Sequence, residues 1–307
     1  MKRRVKRDAG AHILTVRSKG EKVFFGIVFC LFTLYAISLI LPFIFLIINS
    51  MKDGMEYIDH MAAGNSIQLP AVWQFDNYVK AFTDMSITNS LGEKVYLPMM
   101  FFNSLWYCTL ATVSGVFASA LTAYVLAKYK FVGRSFFYGI AIFSMTIPII
   151  GATAAMYKLV YSLGIYNTPF FPLLVNFAGF GFNFLILYGF FSNIPWSYAE
   201  AVFIDGGGHA TAFFRVMLPQ ARPCLITLFI IAFIASWNDY TTLLLYMPDY
   251  PTLASGIYGI QLTLQRDGLK YPEYYAGLVI SIIPILILFS VFSDTIMSNF
   301  TVGGLKG

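Results

Sequence analysis

The chain has 307 residues, of which 58% are hydrophobic and only 11% charged, with a mean hydropathy of +0.70. A soluble domain carries about a quarter charged residues, so this composition excludes one and indicates an integral membrane protein. The net charge of +5 does not imply a nucleic-acid partner, because much of it gathers at the N-terminus beside an apolar run.

Residues 1–22 form a basic arm: Lys2, Arg3, Arg4, Lys6, Arg7, Arg17, Lys19 and Lys22 stand against Asp8 and Glu21. Such an arm stays in the cytoplasm and is placed to meet anionic membrane lipid. The run that follows, Val23 to Ile48, is too long for a signal-peptide core and lacks a small-residue cleavage site, so it reads as a retained span. Cys30, Cys108 and Cys224 fall inside apolar runs and read as small packed residues.

Residues 23–307 divide into six apolar runs, at about 23–50, 100–128, 137–163, 169–192, 218–246 and 272–298, each long enough to cross a bilayer. The predicted fold class is an all-α polytopic membrane protein. The connection at 129–136 carries Lys130 and Arg134 and no acid, which places it inside. The connection at 51–99 is rich in Asp and Glu, which places it outside, and both termini then fall in the cytoplasm. Gly115, Ser119, Ala123 and Ala127 recur every four residues and predict close helix packing. Pro42, Pro148, Pro172 and Pro284 predict kinks or breaks within runs.

One polar stretch, Pro195 to Pro223, has a clear internal plan. It predicts a short helix with Trp196, Glu200 and Phe203 on one face, and Ala199 and Ala201 allowing close approach. A break at Asp205 to Gly208 follows, then a second helix with an Ala210, Phe213, Phe214 and Met217 stripe. Glu200-Ala201-Val202, Asp205-Gly206, Phe214 and Leu218-Pro219 closely resemble the EAA loop of bacterial ABC-importer permeases. Val202 and Gly207 stand where that pattern has alanines, and Gly207 loosens the expected turn. Asn103-Ser104-Leu105, Ala123-Tyr124, Phe131-Val132-Gly133-Arg134, Ile147-Pro148, Asn167-Thr168 and Trp237-Asn238-Asp239-Tyr240 extend the resemblance. The ending Leu305-Lys306-Gly307 is similar to that of the MalG-like branch of carbohydrate permeases.

The resemblance implies a multi-pass subunit of the bacterial cytoplasmic (inner) membrane that forms half of a translocation pathway for a sugar or oligosaccharide. It implies a second, homologous permease, two ATPase subunits that use ATP and Mg, and an extracytoplasmic solute-binding protein. The stretch 193–217 would be the loop that docks on the ATPase, with Glu200, Ala201, Asp205, Gly206, Phe214, Leu218, Pro219 and the tail residue Lys306 in coupling contacts. The segment Leu69-Pro70 with Phe75-Asp76-Asn77-Tyr78 is similar to one found in sugar-importer permeases. It suits either contact with the binding protein or a structured cap.

No G-x-x-x-x-G-K-[ST] occurs, so the chain supplies no ATP phosphate loop and is read as no enzyme on its own. His12, His60 and His209 are scattered, and neither a metal site nor a bound cofactor is expected. Trp237, Asn238 and Asp239 lie more than halfway across the membrane from Pro223, at about 1.5 Å per residue. Polar groups at such depth are candidates for the substrate path, as are Asn176 and Asn183. Trp237 could stack on a sugar while Asn238 and Asp239 bind hydroxyls; equally, the group could cap a helix or join the permease interface. An ion-driven carrier is the alternative class, with Asp239 and Asp294 as its acids. A membrane scaffold would have no use for the EAA-like loop.

Overall fold

In the computed structural model the described residues are 19–146, 151–177, 179–264 and 268–302, with side-chain surroundings as far as Asp294. The basic residues at 2–17, Pro148, and the tail with Lys306 lie outside them. Helix α1 (Lys19–Ser50) is apolar all round and almost wholly exposed on this chain. A bilayer suits such a helix, since every interior backbone group is satisfied within it. Its apolar run ends at Asn49 and Ser50, which are buried, as is Lys52 just beyond.

The 51–99 connection is a built structure. Asp53 caps α2 (Gly54–Ala62), accepting from Met55 N at 3.0 Å. Helix α3 (Asp76–Thr83) is pinned to the end of α1. Asn77 Nδ2 donates to Ser50 O at 2.9 Å and Lys52 O at 2.8 Å, and the Ser50 and Tyr78 hydroxyls lie 2.8 Å apart. Asn77 Nδ2 and the Tyr78 hydroxyl are thus engaged inside the chain, as the structured-cap alternative expects. Lys52 Nζ donates to Ser66 O at 3.1 Å. Burial pushes its ammonium below the usual lysine range, with Glu56 opposing. A short antiparallel hairpin follows, β1 (Ser86–Thr88) with β2 (Lys94–Tyr96), Ile87 facing Val95.

Helix α4 (Leu97–Lys128) is the spine. One core gathers on its first half, with Leu97, Met100, Tyr107, Phe171, Trp237 and Leu253; a second gathers on its last half, with Ala123, Tyr124, Phe184, Leu187, Phe213 and Met217. Arg134 closes its end, donating from Nε to Leu126 O at 2.7 Å, as the helix C-terminus favours.

The expected runs at 137–163 and 169–192 are not single helices. The first contains α5 (Arg134–Thr146) and α6 (Ala152–Ser162). The second contains α7 (Phe171–Val175) and α8 (Phe182–Asn193). Gly179 at φ 74° and Gly181 at φ 134° take the backbone out of helical geometry between them. Pro172 sits in the first turn of α7, where no N–H is required, and so starts a helix instead of kinking one.

The loop region holds α9 (Ser197–Ile204), α10 (His209–Thr211), a π-helical turn (Ala212–Met217) and α11 (Leu218–Gln220). The run expected at 218–246 is also divided, into α11, α12 (Arg222–Asn238) and α13 (Thr241–Tyr246). Helix α14 (Leu253–Leu264) and α15 (Tyr271–Val302) complete the chain. Among the described residues, three stretches suffice by length and composition to cross a membrane: Lys19–Ser50, Leu97–Lys128 and Gly268–Asp294. The pair His209–Gln220 and Arg222–Asn238 qualifies jointly but is bent by 75°.

Asp249 joins three turns of the polar face. Its carboxylate accepts from Ser90 N at 2.9 Å, from the Ser90 hydroxyl and from Asn167 Nδ2. Its N–H donates to Asn167 Oδ1 at 3.1 Å. Asn167 is held at φ 54°, with its own N–H on Tyr246 O at 2.8 Å. Burial pushes the Asp249 carboxyl up, but the Ser90 and Asn167 donors outweigh it and hold it below the usual carboxylate range. A depressed carboxyl pKa stabilises the fold above the unfolded value, near 4, and the stabilisation is lost as pH falls through the folded one. We expect Asp249→Asn to speed amide exchange in 86–92 and 163–168 together, by about 1–3 kcal/mol of local opening, with α4 unchanged. Exchange mass spectrometry at neutral pH checks this, and uncoupled behaviour of the two segments would refute the clasp.

Candidate functional site

The loop after α8 is fastened to the end of α4 from its first residue. Lys128 Nζ donates to Ile194 O. The Tyr129 ring meets Trp196 edge-on, with centroids 5.6 Å apart, and its hydroxyl lies 2.9 Å from His209 Nδ1 and 3.2 Å from the Tyr124 hydroxyl. Phe203 closes this group, 4.9 Å from His209 and 6.0 Å from Trp196. An aromatic cluster thus locks both arms of the loop to α4.

The first helix forms as expected, but its faces divide differently. Trp196 and Phe203 turn partly inward, Ala199 is fully buried, and Glu200 is exposed. The close approach anticipated at Ala199 is therefore made within the chain. The outward surface includes Tyr198, Glu200, Ala201, Asp205 and Ile204, the last 85% exposed. Two acids beside exposed apolar side chains make a surface suited to a protein partner.

The turn below it is tight. Gly206 N donates to Phe203 O at 3.1 Å and Gly207 N to Val202 O at 2.8 Å, the paired bonds that end a helix in a Schellman motif. Gly206 occupies the left-handed position at φ 80°. Asp205 takes the C-cap, and Gly207, expected to loosen the turn, does the reverse. A Cβ there would stand 2.6 Å from Val202 Cγ1, so the two departures from the family pattern touch each other.

The second helix corrects its predicted stripe. Ala212, Phe213 and Met217 are buried, whereas Ala210 and Phe214 are exposed. The i→i+5 bonding of the π-helical turn, seen in Leu218 N on Phe213 O, widens the spacing and carries Phe214 outward. There it stacks on Phe117 at 6.2 Å, while Phe213 meets Tyr124 at 4.9 Å. Leu218 is half-buried and Pro219 exposed, in the first turn before the 75° bend.

Four of the five substrate-path candidates line two cavities, and Asp239 lines neither. Trp237 is 4% exposed, its Nε1 donating to Ser281 O at 3.3 Å and its ring stacked on Phe233 at 5.8 Å. It borders a cavity of about 490 Å³ with Asn238, Tyr258, Gln261 and Tyr274. Asp239 accepts from Thr242 N at 3.0 Å and so caps α13. Asn176 and Asn183 line a smaller cavity of about 270 Å³ with Gly115, Ser119 and Gly181. Asn176 Nδ2 is bonded to Pro172 O at 2.9 Å. Sequence reasoning did not single out Tyr129, Tyr258 or Gln261; Tyr129 next to Lys128 was the one with a local signal, at the end of a span. Among the described residues no group of three or more His, Cys, Asp or Glu side chains is placed to hold a metal.

The long apolar helices and the packed polar loop define an α-helical integral membrane protein. Residues 111–301 match the family described as binding-protein-dependent transport system inner membrane component, and the chain belongs to that family. It is 28% identical over 294 residues to the diacetylchitobiose uptake system permease protein NgcG of Streptomyces coelicolor, covering 94% of this chain and 91% of the relative. It is also 28% identical over 282 residues to the trehalose/maltose transport system permease protein MalG of Thermococcus litoralis, covering 89% and 94%. Its fold is shared with a chain of a bacterial ABC transporter that imports the acidic polysaccharide alginate. That likeness has a TM-score of 0.73, at 22% identity over 91% of this chain and 98% of that one.

The contact of Val202 with Gly207 gives a test. Gly207→Ala should cost about 1–3 kcal/mol by overpacking, and adding Val202→Ala should return most of it. Thermal unfolding of the four proteins of the cycle in detergent checks the coupling; strict additivity would show that the contact is not made.

Proposed function

We propose that this chain is the permease subunit of an ATP-driven importer, providing half of the pathway for a sugar or oligosaccharide and docking on an ATPase through residues 193–217. The observation that carries this reading is the joining of the exposed Glu200–Ile204 surface to α4 through Tyr129, Trp196 and His209. A partner that moves this surface moves α4 with it, because the cluster leaves no slack between them. The family's description and the sugar permeases among its relatives support the substrate class. The assembly would hold a second, related permease, two ATPase subunits using ATP and Mg, and an external solute-binding protein. On this reading α5 with α6, and α7 with α8, are two broken spans, which gives six crossings and both termini in the cytoplasm. Broken helices are tolerated at membrane depth where they are buried or line a cavity.

For the substrate path we favour the Asn176 and Asn183 cavity, which lies at the break between α7 and α8. Trp237 has its N–H and one face engaged within the chain. Asp239 has one carboxylate oxygen engaged by Thr242 N at the start of α13, a structural use for one of the two acids that an ion-driven carrier would need.

Co-purification with the neighbouring permease and ATPase tests the reading. Gly206→Val places a β-branched residue at φ 80°, a strain of about 1–3 kcal/mol or more, and should lose or uncouple the ATPase. Glu200→Ala should leave the fold intact and weaken coupling by about 2–5 kcal/mol if its partner charge is stranded. Normal uptake by the Gly206→Val protein at equal expression would overturn the assignment. In the substrate path, Asn183→Leu should raise the KM for uptake several-fold without changing ATPase assembly. An unchanged KM would move the path to the cavity beside Asn238.

A further inference from the structure

Helix α3 has three sides of different character. Asn77 and Ala81 are buried against the chain. Asp76 and Thr83 are exposed and polar. Phe75, Val79 and Phe82, at i, i+4 and i+7, form an apolar face that is 64%, 59% and 45% exposed, with Val72 and Trp73 exposed just before it. The helix turns both flanking phenylalanines away from the protein, while its inward side is already filled by Asn77, Ala81 and the half-buried Tyr78. Burial in its own core therefore does not explain the pattern.

The level of this face is fixed. The bonds from Asn77 to the Ser50 and Lys52 carbonyls hold α3 where the apolar run of α1 stops. It also packs along α15, whose Ile283, Leu286 and Ile287 are exposed apolar residues in a membrane-length helix. The apolar face thus lies at the level where the exposed apolar surface of α1 ends, the polar edge of the spans. There a helix with one apolar and one polar exposed side lies in the plane of the interface, and a tryptophan is favoured.

We propose that α3 is an interfacial anchor, its Phe75, Val79 and Phe82 face and Trp73 seated among lipid headgroups and the first methylenes of the acyl chains. It would fix the height and tilt of the 51–99 structure on the membrane. Lipid contact rests on the family and on the geometry of α3. Only the choice of outer leaflet rests on the six-span topology proposed above.

The test uses the assembled transporter in phospholipid vesicles, with Cys30, Cys108 and Cys224 replaced by serine and a spin label at Phe82→Cys or Asp76→Cys, which lie about 120° apart around the helix. The Phe82 label should be relaxed preferentially by oxygen, the Asp76 label by a water-soluble nickel chelate. Nickel access at Phe82 equal to that at Asp76 would place the face in water. Protection of Phe82 from both reagents would place it against a protein subunit. Either result overturns the anchor. If the serine background fails to assemble, Val79→Trp in the cysteine-containing protein serves instead: lipids brominated near the headgroup should quench the added fluorescence, and no added quenching overturns the proposal. Labelling of Asp76→Cys by an impermeant maleimide on intact cells reports the leaflet separately, so a wrong topology is distinguishable from a missing lipid contact.

Discussion

The structure depends on how closely a broken helix approaches the flank of α4. Between α7 and α8 the backbone leaves helical geometry, and carbonyls that a span would satisfy internally are released. Hydroxyls of α4 reach two of these carbonyls: Ser114 Oγ lies 3.2 Å from Pro172 O and Thr122 Oγ1 3.0 Å from Gly179 O, each sharing its single proton with a carbonyl of its own helix, Ala111 O and Ala118 O. The approach is possible because Gly115, Ser119 and Ala123 keep that flank thin. A Cβ on Gly179 would stand 2.7 Å from Thr122 Oγ1. Lipid gives helices little hydrophobic reason to associate, so close packing and such hydrogen bonds must do it.

The same helix joins the polar loop to the rest of the chain. Its last turns carry Tyr124 and lead directly into Tyr129, and these meet Phe213, Trp196 and His209 from both arms of the loop. The loop is therefore mechanically an extension of α4. The 75° bend after α11 gives the other exit from the loop a different direction, into α12. Displacement of the loop reaches α4 through rings in contact and α12 through a corner.

Much of this was legible in the amino-acid order. Long apolar runs with few charges marked α1, α4 and α15 to within a few residues. The glycine break at 206 and the small-residue flank of α4 were also readable, since each follows from a local steric rule. Prolines pointed to kinks or breaks in the third and fourth runs, but not to the glycine break at 179–181, and nothing marked the divisions of the fifth, because hydropathy is the same for a whole helix and for two half-helices. The stripe after Gly208 was misassigned for a related reason: it was counted at 3.6 residues per turn, and a π-helical turn changes the count without changing composition. The division of labour within Trp237-Asn238-Asp239 depends on Ser281 and Thr242, and no spacing in the motif announces either partner. Asn77 and Tyr78 look like surface recognition residues until the carbonyls at the end of α1 are seen beneath them.

The contact between Val202 and Gly207 bears on how this loop could have changed over time. Read position by position, the chain departs twice from the alanines of the family pattern. In space there is one event, the transfer of bulk from one side of a small gap to the other. The order of such a change is constrained. With glycine first at 207, valine enters at 202 without crowding, whereas the reverse order passes through an overfilled turn that costs about 1–3 kcal/mol. A loop that presents the same outer surface throughout can therefore exchange its inner residues along one route at little cost and along the other only through a destabilised form.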